Sequence, residues 1–227
     1  MVEIIKKLEM INMEKPGVEN FKSIKPESDI SLMDAKTYVD ELFSENSEQQ
    51  DTFHTSYEDR MKYTPNDGER GKWEGKPGES KFIPSQETES GQLSKEKLSE
   101  RGIDGIEYKN GEPDFSPVSE ATVKIDKMTE NRHDYFDANG DKQQGNFTQA
   151  DFKCADMWNE IGRDNRNDWT PQEVRDWRKE NNYSWHERCD TKTMDMVSQD
   201  IHGFFNHSGG VFECKVRDNA IGGGFDE

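Results

Sequence analysis

Three of the five histidines in the chain, His186, His202 and His207, fall close together towards its C-terminal end. Neutral imidazole is a frequent ligand of divalent metals, and its pKa near neutrality also suits proton transfer. A metal ion held by a few protein ligands keeps positions free for phosphate oxygens, as hydrolysis of a phosphodiester bond requires. The spacing therefore indicates a metal-assisted hydrolytic site. The alternative is three unrelated histidines with ordinary structural hydrogen bonds.

The residues around these histidines predict the order strand, turn, strand, helix. Residues 183–187 and 193–197 have the aromatic content or the alternating pattern that is typical of strands. The polar residues 188–192 form the predicted turn, and Ser198 is a suitable N-cap for the helix that follows. This order places the first histidine at the end of a strand and the other two on or just beyond a helix.

The predicted helix has to end between its two histidines if both are to bind one ion. Residues five positions apart on an unbroken α-helix point about 140° apart. His202 and His207 therefore converge only if the helix ends or bends at Gly203 or near Asn206.

Helical patterns also occur upstream. They cover residues 93–98, 148–161 and 171–181, and two weaker helices are predicted within residues 1–50. Thr148 predicts a start with a capping box for one of them, and Thr170 with Glu173 predicts a clearer capping box for the next. These helices are expected to pack around the strand–helix motif.

Short strands and turns complete the prediction. Asn110-Gly111 is a strong signal for a hairpin turn, and residues 121–125 alternate like a strand. The many glycines and prolines of residues 63–85 indicate an ordered loop. Residues 137–141 predict a surface turn, because the glycine and carboxylate that a calcium-binding loop needs are missing.

The sequence therefore predicts an α+β protein with a small ββα core near the C-terminus, surrounded by helices and a β-hairpin. Residues 1–60 are predicted to be a helical N-terminal segment or linker. Residues 61–221 form the predicted main domain, with its core at about 182–210, and residues 222–227 form a tail.

Several short motifs carry a specific family resemblance. They are Trp185-His186-Glu187, Asp190, Thr193-Met194, Ile201-His202-Gly203 and His207-Ser208-Gly209-Gly210, with further resemblance upstream in Asp114-Phe115-Ser116, Val123-Lys124-Ile125 and Met128–Arg132 and weaker likeness over residues 63–85. Together they resemble the WHH-type branch of the HNH/endonuclease VII superfamily over about residues 100–215. The resemblance implies a ββα-metal (His-Me finger) core and nuclease activity, with DNA as the expected substrate and RNA as the second choice. It also implies a toxin domain, as found at the C-termini of bacterial polymorphic toxins, and a cognate immunity protein as partner.

Site roles follow from this resemblance. His202 and His207 are the expected metal ligands, whereas His186 and Glu187 are the expected catalytic residues. Glu187 stands where many family members have a second histidine, so two assignments remain open. Either His186 is the general base and Glu187 a ligand or orienting group, or His186 is a ligand and Glu187 the base. We favour His186 as base, because a glutamate base needs its pKa raised.

Two further residues have predicted roles. Asp190 is expected to orient a histidine, or else to stabilise the turn, and Arg132 is expected to contact the phosphate, or else to pair with an acid such as Asp134. One divalent ion is expected as cofactor, with Mg²⁺, Mn²⁺, Ni²⁺ and Zn²⁺ as candidates. Histidine ligands favour the later transition metals.

The overall charge argues against a simple nucleic-acid binder. Acidic residues outnumber basic ones by 48 to 30, for a net charge of −18, whereas phosphate contacts depend on lysine and arginine. The alternative function is therefore a non-enzymatic, acidic interaction module stabilised by zinc, with Cys189 as a further ligand. The three cysteines otherwise indicate ordinary thiols.

The chain contains no apolar run long enough to span a membrane, and its N-terminus lacks the pattern of a signal peptide. We expect a protein made in the bacterial cytoplasm and then secreted or delivered into a target cell as part of a toxin.

Overall fold

The computed structural model describes residues 53–222. The two helices predicted within residues 1–50 lie outside this range, as do residues 223–227 of the predicted tail. The described residues form both helices and antiparallel sheets, so the predicted α+β class is confirmed. No helix in this part of the chain is long and apolar enough to cross a membrane.

Six α-helices lie within the described residues. They are α1 (Tyr57–Met61), α2 (Glu89–Ser99), α3 (Asn146–Glu160), α4 (Pro171–Glu180), α5 (Gln199–His202) and α6 (Gly210–Gly222). The strands are β1 (Gly71–Trp73), β2 (Lys81–Pro84), β3 (Ile106–Lys109), β4 (Glu112–Pro113), β5 (Ala121–Lys124), β6 (Tyr135–Phe136), β7 (Lys142–Gln143), β8 (Tyr183–Glu187) and β9 (Thr193–Ser198). They form three antiparallel sheets of order β1-β2-β3-β4, β5-β9-β8 and β6-β7.

The central sheet carries the predicted motif. β9 lies between β5 and β8, and His186 on β8 pairs with Asp195 on β9. All six residues of β9 are buried, although residues 193–197 alternate in the sequence like a strand. Met194 packs into the core that contains Trp158 and Trp185, and Val197 packs into a second core around Phe82, Phe115 and Phe205. The sheet is therefore covered on both faces and holds β8 firmly.

The first sheet corrects one expectation. Residues 63–85 were predicted to be an ordered loop, yet β1 and β2 pair within it, with Lys72 opposite Ile83. A strand of three residues is too short to show alternation, and its glycine allows close approach to β2. The hairpin predicted at Asn110-Gly111 is confirmed, because both residues have positive φ, 54° and 77°, as a type I′ turn requires.

Helix starts were predicted with mixed success. The capping box of α4 is present, with Thr170 and Glu173 bonded reciprocally to each other's backbone. The capping box predicted at Thr148 is wrong, because α3 begins at Asn146 after Gly145. The side chain of Asn146 bonds the backbone N–H and C=O of Thr129, so a contact distant in sequence fixes this start.

Candidate metal centre

The three histidines of the motif converge in the structure. Nδ1 of His186 on β8 lies 3.3 Å from Nε2 of His202 and 3.1 Å from Nε2 of His207. All three nitrogens lie within 4.8 Å of one another. The helix α5 ends at His202, with Gly203 as C-cap, so the break that the geometry demanded is present.

Burial keeps these imidazoles neutral. It is the largest of the effects that lower the pKa of His202 to about 3 and of His207 to about 4, and for His202 the adjacent His207 also contributes. For His186, burial and then the adjacent His207 and His202 hold the pKa well below its ordinary value. Neutral imidazole is the form that binds metal.

The backbone fixes the ring of His207 for ligation. Its Nδ1 lies 2.7 Å from the carbonyl oxygen of Phe205, which can only accept a hydrogen bond. Nδ1 must therefore carry the proton, which leaves the lone pair of Nε2 directed to the cluster. The bond also raises the pKa of His207, against the larger effect of burial.

The donor set fits a divalent transition metal. Three neutral ring nitrogens face one another. The lone pairs of two such nitrogens repel unless a proton lies between them, and a bound ion would separate the lone pairs. The sole group of potential ligands that comes together within residues 53–222 contains these three histidines and no cysteine or carboxylate. Three protein ligands leave positions open, unlike a structural zinc site that four ligands close.

Phe115 holds the three rings in place. Its ring centroid lies 4.9 Å from that of His186, 5.7 Å from His202 and 5.6 Å from His207. The side chain is fully buried, so it supports the imidazoles from the side of the core. Sequence reasoning assigned Phe115 no role, although its motif was part of the family resemblance.

Glu187 is buried beside Arg132. Its Oε1 lies 3.3 Å from Nε of Arg132 and 3.5 Å from Nδ2 of Asn146. Burial raises the pKa of Glu187, and Arg132 opposes this rise. The side chain of Arg132 is 55 % exposed, and its other predicted partner, Asp134, pairs instead with Lys142. The structure thus brings Arg132 and Glu187 together, and both line the same cavity as the histidines.

Asp190 lies in the turn between β8 and β9. Its Oδ1 accepts hydrogen bonds from the backbone N–H groups of Lys192, at 2.9 Å, and Thr193, at 2.7 Å. Its Oδ2 accepts from the Thr193 hydroxyl. The hydrogen bonds of Asp190 therefore belong to the turn, and the structure does not bring it to the histidines.

A buried network fixes β8 from the opposite side. The indole N–H of Trp185 donates to Asp151 on α3 over 2.8 Å, and Arg178 on α4 donates two bonds to the same carboxylate, of 2.8 and 2.9 Å. Sequence reasoning placed Asp151 only in the predicted helix cap. Its contacts involve residues distant in the chain, so no local pattern could reveal them.

The histidines line a cavity of about 700 Å³. Its charged residues are Lys62, Arg132 and Lys215, against the single acid Glu187. Three bases to one acid is the reverse of the chain as a whole, in which acids outnumber bases. The cavity is therefore locally suited to an anion.

Comparison with known proteins adds an independent finding. The family model for the DNase/tRNase domain of colicin-like bacteriocin matches residues 105–209, a range from the start of β3 to beyond the last histidine of the cluster. No curated protein matches the chain. The family match supports a nuclease toxin domain in this part of the chain.

Proposed function

We propose that this chain is a metal-dependent endonuclease of the HNH type that hydrolyses phosphodiester bonds of DNA, and RNA less readily. The observation that carries the proposal is the convergence at one cavity of His186 on β8, His202 at the end of α5 and His207 beyond that helix. The family match, which covers both DNase and tRNase domains, supports the nuclease activity.

The three histidines act as the metal ligands in this proposal. The sequence left His186 open as ligand or base, and its Nδ1 lies within 3.3 Å of both other ring nitrogens. This short distance supports a ligand role for His186, and with it the base role for Glu187. When bound there, a divalent ion supplies positive charge to the leaving 3′ oxygen and to the phosphate.

The protein's own side chains then position substrate and move the proton. Arg132 contacts a non-bridging oxygen of the scissile phosphate, since its guanidinium is half exposed to the cavity. Glu187 accepts the proton of the attacking water as the new phosphorus–oxygen bond forms and the bond to the 3′ oxygen breaks. Its burial raises its pKa towards the range useful for a general base.

The alternative of a structural zinc module receives less support. Its extra ligand would be Cys189, yet the thiol of Cys189 lies 3.3 Å from the carbonyl oxygen of Ser208 and is not part of the histidine cluster. Burial also raises the pKa of this thiol far above the range in which it ionises. A metal bound by the three histidines alone would keep open positions, as a catalytic ion does.

The colicin-like match also supports a role as a toxin domain delivered into target cells. A cognate immunity protein in the producing cell is part of this proposal, because an active nuclease would otherwise damage its own host. The ion is one of Mg²⁺, Mn²⁺, Ni²⁺ and Zn²⁺, and the all-nitrogen donor set favours the later metals among them.

Plasmid DNA and total RNA, each incubated with the full chain, test the proposed function. The protein is first treated with EDTA and then supplied with each of the four ions in turn. We expect cleavage of DNA that depends on added metal. Intact nucleic acid with every ion would contradict the proposal, and faster cleavage of RNA would reverse the substrate preference.

A further inference from the structure

A rim of three residues that no step above uses lines the cavity beside the histidines. Lys62 and Tyr63 follow α1 directly, and Lys215 lies on α6. All three fall outside the residues that the family model matches, 105–209. The rim therefore lies in segments outside the matched region.

Tyr63 presents an aromatic surface at the cavity. The residue is 50 % exposed, although most large aromatic residues of the described chain are buried or half-buried. Its ring packs edge-on against Phe212 of α6, with 5.9 Å between centroids, and this contact fixes its orientation. A held, half-exposed aromatic ring next to a phosphate site is a platform for stacking a nucleobase.

Lys62 and Lys215 add positive charge to the rim. Lys62 pairs with Asp59 over 2.6 Å, but both side chains are exposed, so the pair is weak and can yield to a phosphate. Lys215 is exposed and makes no ion pair with any of residues 53–222. Together with Arg132 they give the cavity its excess of positive charge.

A strand of nucleic acid also has room to continue past the rim. A second cavity of about 560 Å³ shares Arg132, Val211 and Lys215 with the first. The two cavities therefore adjoin at these residues, and together they are called the groove.

We propose that Lys62, Tyr63 and Lys215 bind an unpaired nucleotide next to the scissile phosphate, with its base stacked on Tyr63 and adjacent phosphates at the two lysines. This inference rests on the proposed function, and it names the substrate as a locally single-stranded nucleic acid. A paired base inside a duplex has both faces covered by its neighbours, so it cannot stack on a protein ring without leaving the helix.

Binding in the presence of EDTA tests this site apart from catalysis. The probe is a short fluorescein-labelled single-stranded oligodeoxynucleotide, and the readout is fluorescence anisotropy. Loss of one stacked base in Tyr63→Leu should weaken binding by about five- to a hundred-fold. Tyr63→Phe keeps the ring and should bind like the wild type. Phe136→Leu is the matched control, because Phe136 is 72 % exposed but lies outside the cavity.

A charge variant provides a second test that does not depend on the folding of the Tyr63 variant. Lys62→Ala combined with Lys215→Ala should weaken binding of the same probe at low salt, whereas Lys72→Ala should not. Lys72 is exposed on β1 and does not line the cavity. The same probe annealed to its complement should bind more weakly than the single strand.

The results separate this inference from the proposed function. Unchanged affinity in Tyr63→Leu, or equal affinity for single strand and duplex, would overturn the proposed nucleotide site at the rim, even if metal-dependent cleavage is observed. Tight binding that requires Tyr63, without cleavage in the presence of any of the four metals, would support the nucleotide site at the rim and contradict the proposed nuclease activity. A wild-type protein that neither binds nor cleaves would overturn both.

Discussion

At the scale of single residues, the geometry of the histidine cluster supports one of the two assignments that the sequence left open. Neighbouring residues of a strand point to opposite sides, so His186 and Glu187 have different surroundings. His186 contacts the other two histidines, whereas Glu187 contacts Arg132 and Asn146. The difference favours Glu187 as the proton acceptor and His186 as a ligand.

Glu187→Gln tests this assignment directly. The amide keeps the shape of the side chain but accepts no proton at neutral pH, so cleavage should fall by about a hundred-fold or more. The affinity for Zn²⁺ or Ni²⁺, measured by calorimetry, should change little. His186→Ala, in contrast, should lower both the cleavage rate and the affinity for the metal. If Glu187→Gln cleaves at the wild-type rate, Glu187 is not the base.

Glu112 on β4 should make the stability of the fold depend on pH, and it is not one of the proposed catalytic residues. Burial raises its pKa to about 7, against a hydrogen bond of 2.6 Å from the backbone N–H of Cys189. A carboxyl whose folded pKa is raised stabilises the fold most below its unfolded pKa of about 4.5. This contribution is lost as the pH rises to about 7.

Glu112→Gln should therefore flatten the pH profile of stability. The amide oxygen can still accept from Cys189, but the side chain no longer titrates. Between about pH 5 and pH 8 the wild type should lose about 1–3 kcal/mol of unfolding free energy that the variant keeps. Urea unfolding at both pH values measures the difference, and parallel profiles for the two proteins would contradict the raised pKa.

At the scale of elements, β8 and its helices position the site through Asp151. This carboxylate is fully buried and holds Arg178 and Trp185, the residue before the first histidine. Removing one partner of a buried ion pair leaves a charge without compensation. Asp151→Ala should therefore cost about 3–5 kcal/mol of unfolding free energy.

Urea unfolding measures the effect of Asp151→Ala, with Asp156→Ala as its control. Asp156 lies on the same helix and is exposed, so its loss should change stability by less than about 0.5 kcal/mol. Equal stability of the two variants would show that the network does not support β8.

The elements that the sequence predicted well share local signals. The α4 capping box, the Asn110-Gly111 hairpin and the strand–strand–helix order around the histidines each depend on residues near one another in the chain. The missed features depend on distant contacts. Asn146 starts α3 through Thr129, and β9 is buried on both faces by two separate cores, neither of which a local pattern reveals.

At the scale of the whole molecule, a net charge of −18 opposes binding of a negatively charged nucleic acid. The distribution of the charge resolves this conflict. The cavity has Lys62, Arg132 and Lys215 against one acid, while the chain as a whole is acidic. Acidic surface elsewhere should repel nucleic acid and limit contacts to this groove. Sequence composition alone could not show this, because it does not say which basic residues line the same cavity in the folded chain.

A small number of phosphate contacts predicts a weak salt dependence. With two or three basic residues at the groove, a plot of log K against log[salt] for the single-stranded probe should have a slope of about −1.5 to −2. Anisotropy titrations in EDTA at increasing NaCl measure it. A slope several times steeper would require a basic surface that the described residues do not provide at this cavity.

The most direct test of the central claim compares His202→Ala with His133→Ala. His133 is an exposed histidine outside the cluster, with its ring against Phe147, so it controls for the loss of an imidazole. Zn²⁺ or Ni²⁺ affinity and plasmid cleavage are measured for both variants and the wild type. We predict that His202→Ala loses metal binding and cleavage together while His133→Ala keeps both. Cleavage that survives in His202→Ala, or that persists in EDTA, would contradict the histidine metal centre.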